Sequence, residues 1–216
     1  MTDLRTPTAL LFDMDGTLVD STALVENTWG DFAETHGLDL ADVLAFAHGR
    51  PTAATVHHFL PDPDVAARET ARLVAYEEST TDGVREIPGA RSVLTALPAH
   101  SWAIVTSASR TLARNRMRAA GLPLPGILVS ADDIVRGKPD PEGYLLAAAA
   151  LGADITAATV FEDSPAGVRA GRASGARTVV IGALTDFDAE LERFPDFTAP
   201  ALVAALLGAP AQAGRP

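Results

Sequence analysis

The segment Ala9-Leu10-Leu11-Phe12-Asp13-Met14-Asp15-Gly16-Thr17 sets four apolar residues directly against two carboxylates, a glycine and a hydroxyl. A short apolar run bounded this way reads as a buried strand that ends in polar, turn-forming chemistry. Trp102 to Val105, Ile127 to Val129, Thr159 to Phe161 and Thr178 to Ile181 read the same way. Helical patterns lie between them at Ala90 to Leu97, Leu112 to Ala120, Pro141 to Leu151 and Pro165 to Ser174. Strands alternating with helices predict an α/β fold, a parallel sheet covered by helices on both faces.

Between the first strand and the second this rhythm stops. Residues 22–86 offer about four amphipathic helical stretches and no strand. Leu24, Thr28, Phe32 and Thr35 fall on one helical face, and Val65, Thr70, Leu73 and Val74 suggest another. The segment reads as a helical insert, with Ile87-Pro88-Gly89 as the hinge back to the sheet. The expected organisation is a core of residues 1–21 and 87–208, an insert of 22–86, and a tail of 209–216.

Composition limits the partners. The chain has 216 residues, 47% of them hydrophobic and 21% charged, enough to bury a core. Acidic residues outnumber basic ones 28 to 17, a formal charge of −11. That field disfavours nucleic acid and anionic lipid, so neither is expected as a partner. It also repels phosphate, so an anionic substrate needs a local cation. Zero cysteines exclude disulfides, thiolate metal sites and thiol nucleophiles. No run approaches a membrane span, and the expected compartment is the cytoplasm.

In an open parallel sheet, ligands bind beyond the carboxyl ends of the strands, and that is where the reactive residues fall. Asp13 and Asp15 follow the first strand, Thr106 and Ser107 the second, and Glu162 and Asp163 end the fourth. Alternate side chains of extended backbone point the same way, so Asp13 and Asp15 can share a pocket. Asp-x-Asp-Gly is also turn chemistry and a calcium-loop fragment, but Thr17-Leu18-Val19 lacks the ligands such a loop needs next. Several carboxylates converging without cysteine call for a hard cation that prefers oxygen, and Mg²⁺ is expected. Lys138 is the chain's one lysine, in a loop stiffened by Pro139 and Pro141. A flexible point charge there can neutralise Asp13 and grip a phosphoryl oxygen. A carboxylate nucleophile, a neighbouring acid, a metal site, a lysine and hydroxyl donors together suit phosphoryl transfer through an aspartyl phosphate.

The stretch Leu11-Phe12-Asp13-Met14-Asp15-Gly16-Thr17-Leu18-Val19-Asp20-Ser21 resembles the first motif of the haloacid dehalogenase-like phosphohydrolases. Val105-Thr106-Ser107, Gly137-Lys138-Pro139 and Phe161-Glu162-Asp163-Ser164-Pro165-Ala166-Gly167 resemble the remaining motifs and follow in order. The resemblance implies a Rossmann-like core with a helical cap inserted after the first strand. His48-Gly49-Arg50-Pro51-Thr52, Ile87-Pro88-Gly89-Ala90 and the residues around Trp102 are similar to those of bacterial sugar and hexitol phosphatases and of yeast glycerol and 2-deoxyglucose 6-phosphate phosphatases.

By that resemblance Asp13 attacks phosphorus, while Asp15 protonates the leaving alcohol and then activates water. Mg²⁺ is held by Asp13, the backbone carbonyl of Asp15 and Asp163, with Glu162 or Ser164 nearby. Thr106 or Ser107, Gly16, Lys138 and Arg50 are expected at the phosphate or sugar. The cap has no lysine, so the imine chemistry of phosphonate hydrolases is closed to it. Val25 stands at or near the position where phosphosugar mutases carry a histidine. The expectation is a Mg²⁺-dependent phosphatase for a small sugar or polyol phosphate, acting as a monomer or weak dimer. A phosphoglycolate-type phosphatase, a phosphosugar mutase and a non-catalytic binding module are the alternatives.

Overall fold

The computed structural model describes residues 9–185, 187 and 191–207. The expected tail, residues 209–216, lies outside the described residues, as do residues 1–8 and 208.

In chain order the elements are β1 (Ala9–Phe12), β2 (Val19–Asp20), α1 (Thr22–His36), α2 (Leu40–Ala47), α3 (Thr52–Phe59), α4 (Pro63–Ser79), β3 (Arg85–Glu86), α5 (Ala90–Ala96), β4 (Trp102–Val105), α6 (Arg110–Ala119), β5 (Ile127–Val129), α7 (Glu142–Ala150), β6 (Ala158–Glu162), α8 (Pro165–Ser174), β7 (Arg177–Ile181), β8 (Glu192–Phe194) and α9 (Pro200–Leu207), with short 3₁₀ turns at Ala131–Asp133 and Ile155–Ala157. Six strands form one parallel sheet in the order β5-β4-β1-β6-β7-β8. β1 is central, and the chain runs outward from it first through β4 and β5, then through β6 to β8. The crevice at the carboxyl end of β1 is therefore the switch point of the sheet.

The period of two along β1 divides its side chains between two cores. Leu10 and Phe12 join Trp102, Ile104, Phe161, Val179 and Ile181 under α5, α6 and α9. Ala9 and Leu11 join Ala103, Val105, Val129 and Val160 against α7 and α8. Phe12 stacks on Phe161 with ring centroids 4.7 Å apart, and truncating such a fully buried aromatic costs about 3–5 kcal/mol. Apolar side chains on both faces are what the unbroken run at residues 9–12 requires.

Helices α1 to α4 hold a third core of their own: Trp29, Phe32, Ala33, Val43, Ala47, Val56, Ala66 and Leu73. Asp39 and Asp62 cap α2 and α4 by accepting backbone N–H bonds, and Gly37 ends α1 in the left-handed conformation. On α1 the buried face runs through Leu24, Thr28, Trp29 and Phe32, while Thr35, expected on it, is exposed. The two ends of this insert are zipped by β2 and β3, an antiparallel pair that matches Val19 with Glu86 and Asp20 with Arg85. Sequence reading finds neither this two-residue ladder nor β8, whose Glu-Arg-Phe run is not apolar. Nor does it find α9. Among the described residues no helix is long and apolar enough to cross a membrane.

Candidate active site

Asp13 is the first residue past β1, and its N–H donates to the Phe161 carbonyl on β6 at 2.9 Å. The chain then turns tightly, with Gly16 N–H on the Val19 carbonyl at 2.8 Å and the Leu18 and Val19 N–H groups on the Met14 carbonyl. Gly16 has φ +84°, and a Cβ there would lie 1.9 Å from Asp163 Oδ2. Both the backbone conformation and the close approach of Asp163 require glycine.

Lys138, in the loop between β5 and α7, reaches the same point from below. Its ammonium donates to Asp13 Oδ1 and to the Val105 carbonyl at 3.2 Å, and it pairs with Glu162 Oε1 at 2.7 Å. Asp13 and Lys138 are each 7% exposed and Glu162 is fully buried. Glu162 is saturated: Oε1 also accepts the Tyr144 hydroxyl at 2.6 Å, and Oε2 accepts the backbone N–H groups of Asp163 and Ser164 and the Ser164 hydroxyl. It acts as a footing for Lys138. Asp163 Oδ1 accepts the Thr17 hydroxyl at 3.0 Å.

The charges do not balance. Burial holds the Asp13 carboxyl well above its usual range; Lys138 opposes that shift, and Glu162 and Asp163 reinforce it. Burial also raises Asp163, against the bond from His48. Burial alone would lower Lys138, but Asp13 and Glu162 outweigh it and hold the ammonium above its ordinary value. Lys138 meets two carboxylates, Asp13 and Glu162, with Asp163 beside them, and one ligand oxygen from each of Asp13, Glu162 and Asp163 lies within 4.8 Å of the others. An all-oxygen, electron-rich cluster of this kind can hold a divalent cation.

Above the cluster opens a cleft of about 630 Å³, a volume suited to a small ligand. The core contributes Asp13, Asp15, Gly16, Thr106, Ser107 and Asp163 to its lining; the insert contributes His48, Gly49, Arg50, Thr52, Glu26 and Glu77. Thr106 Oγ1 accepts the Ala108 N–H at 3.1 Å, while the Ser107 hydroxyl donates across to the Gly49 carbonyl at 2.9 Å. His48 Nε2 sits 2.9 Å from Asp163 Oδ2, which raises the imidazole pKa through that hydrogen bond. Arg50 lines the cleft but is stacked on Phe46, 4.0 Å from the ring centre, with Nη1 on the Phe46 carbonyl. Trp102 lies in the sheet core, and Trp29 lies in the insert's core and also touches the cleft.

All the expected residues line one cleft or its floor. Three others escaped sequence reading. Tyr144 anchors Glu162, as described. Arg116 on α6 pairs with Asp15 Oδ1 at 2.8 Å and with Glu77 of α4 at 3.3 Å. The available signal was positional: Arg116 follows Leu112 by four residues, and Glu77 follows Leu73 by four, so each charge lies on an apolar helical face.

Comparison with known proteins places these features among relatives. The family model for haloacid dehalogenase-like hydrolases matches residues 7–175. Hexitol phosphatase A of Escherichia coli K12 is 44% identical over 181 residues, covering 82% of this chain and 83% of that protein. Glycerol-1-phosphate phosphohydrolase 2 of Saccharomyces cerevisiae is 35% identical over 193 residues, covering 83% and 76%. Among solved structures, a HAD family hydrolase from Deinococcus radiodurans R1 with bound phosphate and sodium superposes with TM-score 0.66 at 28% identity, covering 96% of this chain and all of that one.

Proposed function

From a chain that belongs to the haloacid dehalogenase-like hydrolases, and is a phosphoric monoester hydrolase, we propose a reaction in which Asp13 takes the phosphoryl group from a small sugar or polyol phosphate. The observation that carries this reading is the cluster of Asp13, Lys138 and Asp163 at the carboxyl edge of the sheet, opening on a cleft of small-molecule size.

In this reading an Asp13 oxygen attacks phosphorus while Lys138 and the hydroxyls of Thr106 or Ser107 hold the phosphoryl oxygens. Lys138 is pre-positioned by Glu162 and Tyr144, so little reorganisation is needed when charge develops. Asp15 protonates the leaving alcohol, then takes a proton from the water that hydrolyses the aspartyl phosphate. Mg²⁺, held by Asp13, Asp163 and the Asp15 carbonyl, would offset the negative charge of the ester. Residues 22–86 serve as the cap that closes over the substrate, with residues 1–21 and 87–208 as the catalytic core. Glu26 in the cleft wall offers an acceptor to neutral hydroxyls and repels a second carboxylate, while Glu77 is taken up by Arg116 and Thr52. That supports a polyol over a phosphoglycolate-type substrate.

The test is a panel of phosphate esters assayed with Mg²⁺. Hexitol, glycerol or hexose phosphates should be cleaved, EDTA should stop the reaction and Mg²⁺ restore it. Asp13→Asn should lose at least about 10⁴-fold. Failure of the wild type on every ester, or full activity in Asp13→Asn, defeats the reading.

A further inference from the structure

We infer that Arg116 is the positioning residue for Asp15, and that Glu77 ties this arrangement to the helical insert. Among the described residues two side chains reach the Asp15 carboxylate, Arg116 through Nη1 at 2.8 Å and Ser21 through its hydroxyl at 2.7 Å, and both fall on Oδ1. The carboxylate is gripped by one oxygen, so Oδ2 is the atom suited to carry a proton to the substrate. Arg116 is 3% exposed although it is an arginine, and its Nε is buried without a hydrogen-bond partner. A buried guanidinium costs several kcal/mol of desolvation unless it is paired, so its place beside the cleft calls for a reason beyond packing.

The reason lies in its second partner. Arg116 Nη2 meets Glu77 Oε1 at 3.3 Å, and Glu77 Oε2 accepts the Thr52 hydroxyl at 2.9 Å. Glu77 is itself buried, at 4% exposure, on the last turns of α4. The neighbouring Glu78 bonds Ser109 and Asn115 of α6, so this end of the insert is clamped to the helix that carries Arg116. One guanidinium therefore spans a carboxylate of the insert and the carboxylate that follows the first strand. A shift of α4 relative to α6 is transmitted to Asp15 through a single rigid fork.

The inference rests on the phosphatase reading above. In the step concerned, an Asp13 carboxylate oxygen forms a bond to phosphorus as the ester P–O bond breaks. The bonding pair stays on the departing oxygen, which receives the proton from Asp15 Oδ2. An alkoxide needs that proton, whereas 4-nitrophenolate leaves with little help. Misplacing Asp15 must therefore harm alkyl esters more than aryl esters.

The experiment is single-turnover release of alcohol from a hexitol phosphate and of nitrophenolate from 4-nitrophenyl phosphate, with the fold checked by thermal melting. Arg116→Met should shift the ratio of the two rates by roughly 30-fold toward the aryl ester. Arg116→Lys is the second variant, should Met not fold: one ammonium in place of the fork should shift the ratio by about 3- to 10-fold. Glu77→Gln should move it the same way by about 3-fold. A folded Arg116 variant that slows both esters equally, or neither, overturns the positioning role. An unmoved ratio in Glu77→Gln overturns the link to the insert. A wild type inactive on both esters sinks the phosphatase reading instead.

Discussion

The sheet core and the helical insert reach the same cleft by opposite means. In the core the charged cluster under the cleft rises from strand ends and a braced loop and is buried among partners: Asp13 on Lys138, Lys138 on Glu162, Glu162 on Tyr144 and two backbone N–H groups. The insert instead brings a loop, His48-Gly49-Arg50, and one helix end, with side chains that retain partners inside the insert, as Arg50 does on Phe46. The contacts that join the two include many polar ones: His48 to Asp163, Ser107 to the Gly49 carbonyl, Ser109 and Asn115 to Glu78, Arg116 to Glu77. Polar junctions of this kind can be exchanged for water far more cheaply than a shared apolar core can be opened. The difference is a division of labour, with the charged cluster built into the sheet and a wall laid over it that meets the core through these polar contacts and, near its two ends, through the apolar Leu24 and Val84.

The strongest way to break that contrast is Lys138→Met. If the core centre is self-contained, removing its only ammonium strands Asp13 and Glu162 in a buried site, at a cost of about 3–5 kcal/mol in denaturant unfolding. Turnover should fall by about 10²–10³-fold. The pH dependence follows from the raised lysine value. A group whose folded pKa lies above its unfolded value contributes fully below the unfolded one, about 10.4 for lysine, and loses that contribution as pH rises through the folded value. The stability gap between wild type and variant should therefore include this term undiminished from about pH 6 to 9. A variant of normal stability would show that the core depends on the insert for its charge balance.

On the insert side, Arg50→Ala should act on recognition and leave the fold intact. Arg50 is half-buried on Phe46 and lines the cleft, and truncating it removes a stacked cation from the wall. We expect KM for a sugar phosphate to rise by about 10-fold, with melting displaced by no more than a few degrees. Steady-state kinetics and a melting curve decide it. A collapse of kcat with KM unchanged would place Arg50 with the chemistry and erase the distinction.

The same contrast explains what could be read from the chain beforehand. Strands β1, β4 and β5 and helix α8 follow from local signals: apolar runs bounded by polar residues, and Ser164-Pro165 opening a helix that closes at Gly175. The carboxylates and Lys138 were legible because they stand where strands end. Arg116, Glu77 and Tyr144 were not, since each sits inside a helix away from the strand ends, and the apolar face on which Arg116 and Glu77 lie does not say which partner each one meets. Their roles arise from distant pairs: Tyr144 with Glu162 at 18 residues, Glu77 with Arg116 at 39, and Arg116 with Asp15 farther still. The link from His48 to Asp163 spans 115 residues and depends on how the insert folds over the sheet. The β2–β3 ladder is too short for any periodicity to register.

That ladder carries the smallest effect, because it is the covalent joint between the two regions. Arg85 donates to Asp20 Oδ2 at 2.8 and 3.0 Å across it, with the Arg85 side chain 77% exposed. Burial pushes the Asp20 carboxyl upward, but Thr22 and Arg85 outweigh it and hold the group below its usual range. A depressed carboxylate contributes above its unfolded value, near 3.9, and loses that contribution as pH falls through the lower folded value. Solvent screening keeps such a pair small, so Asp20→Asn should cost under about 0.5 kcal/mol at neutral pH. The difference should close below about pH 4 and shrink in roughly 1 M salt. If it persists in acid and in salt, the charge is not what holds the joint. The hydrogen bonds of two strand residues, with Ile87 N–H on the Leu18 carbonyl at 2.8 Å, would then be enough to tether the insert.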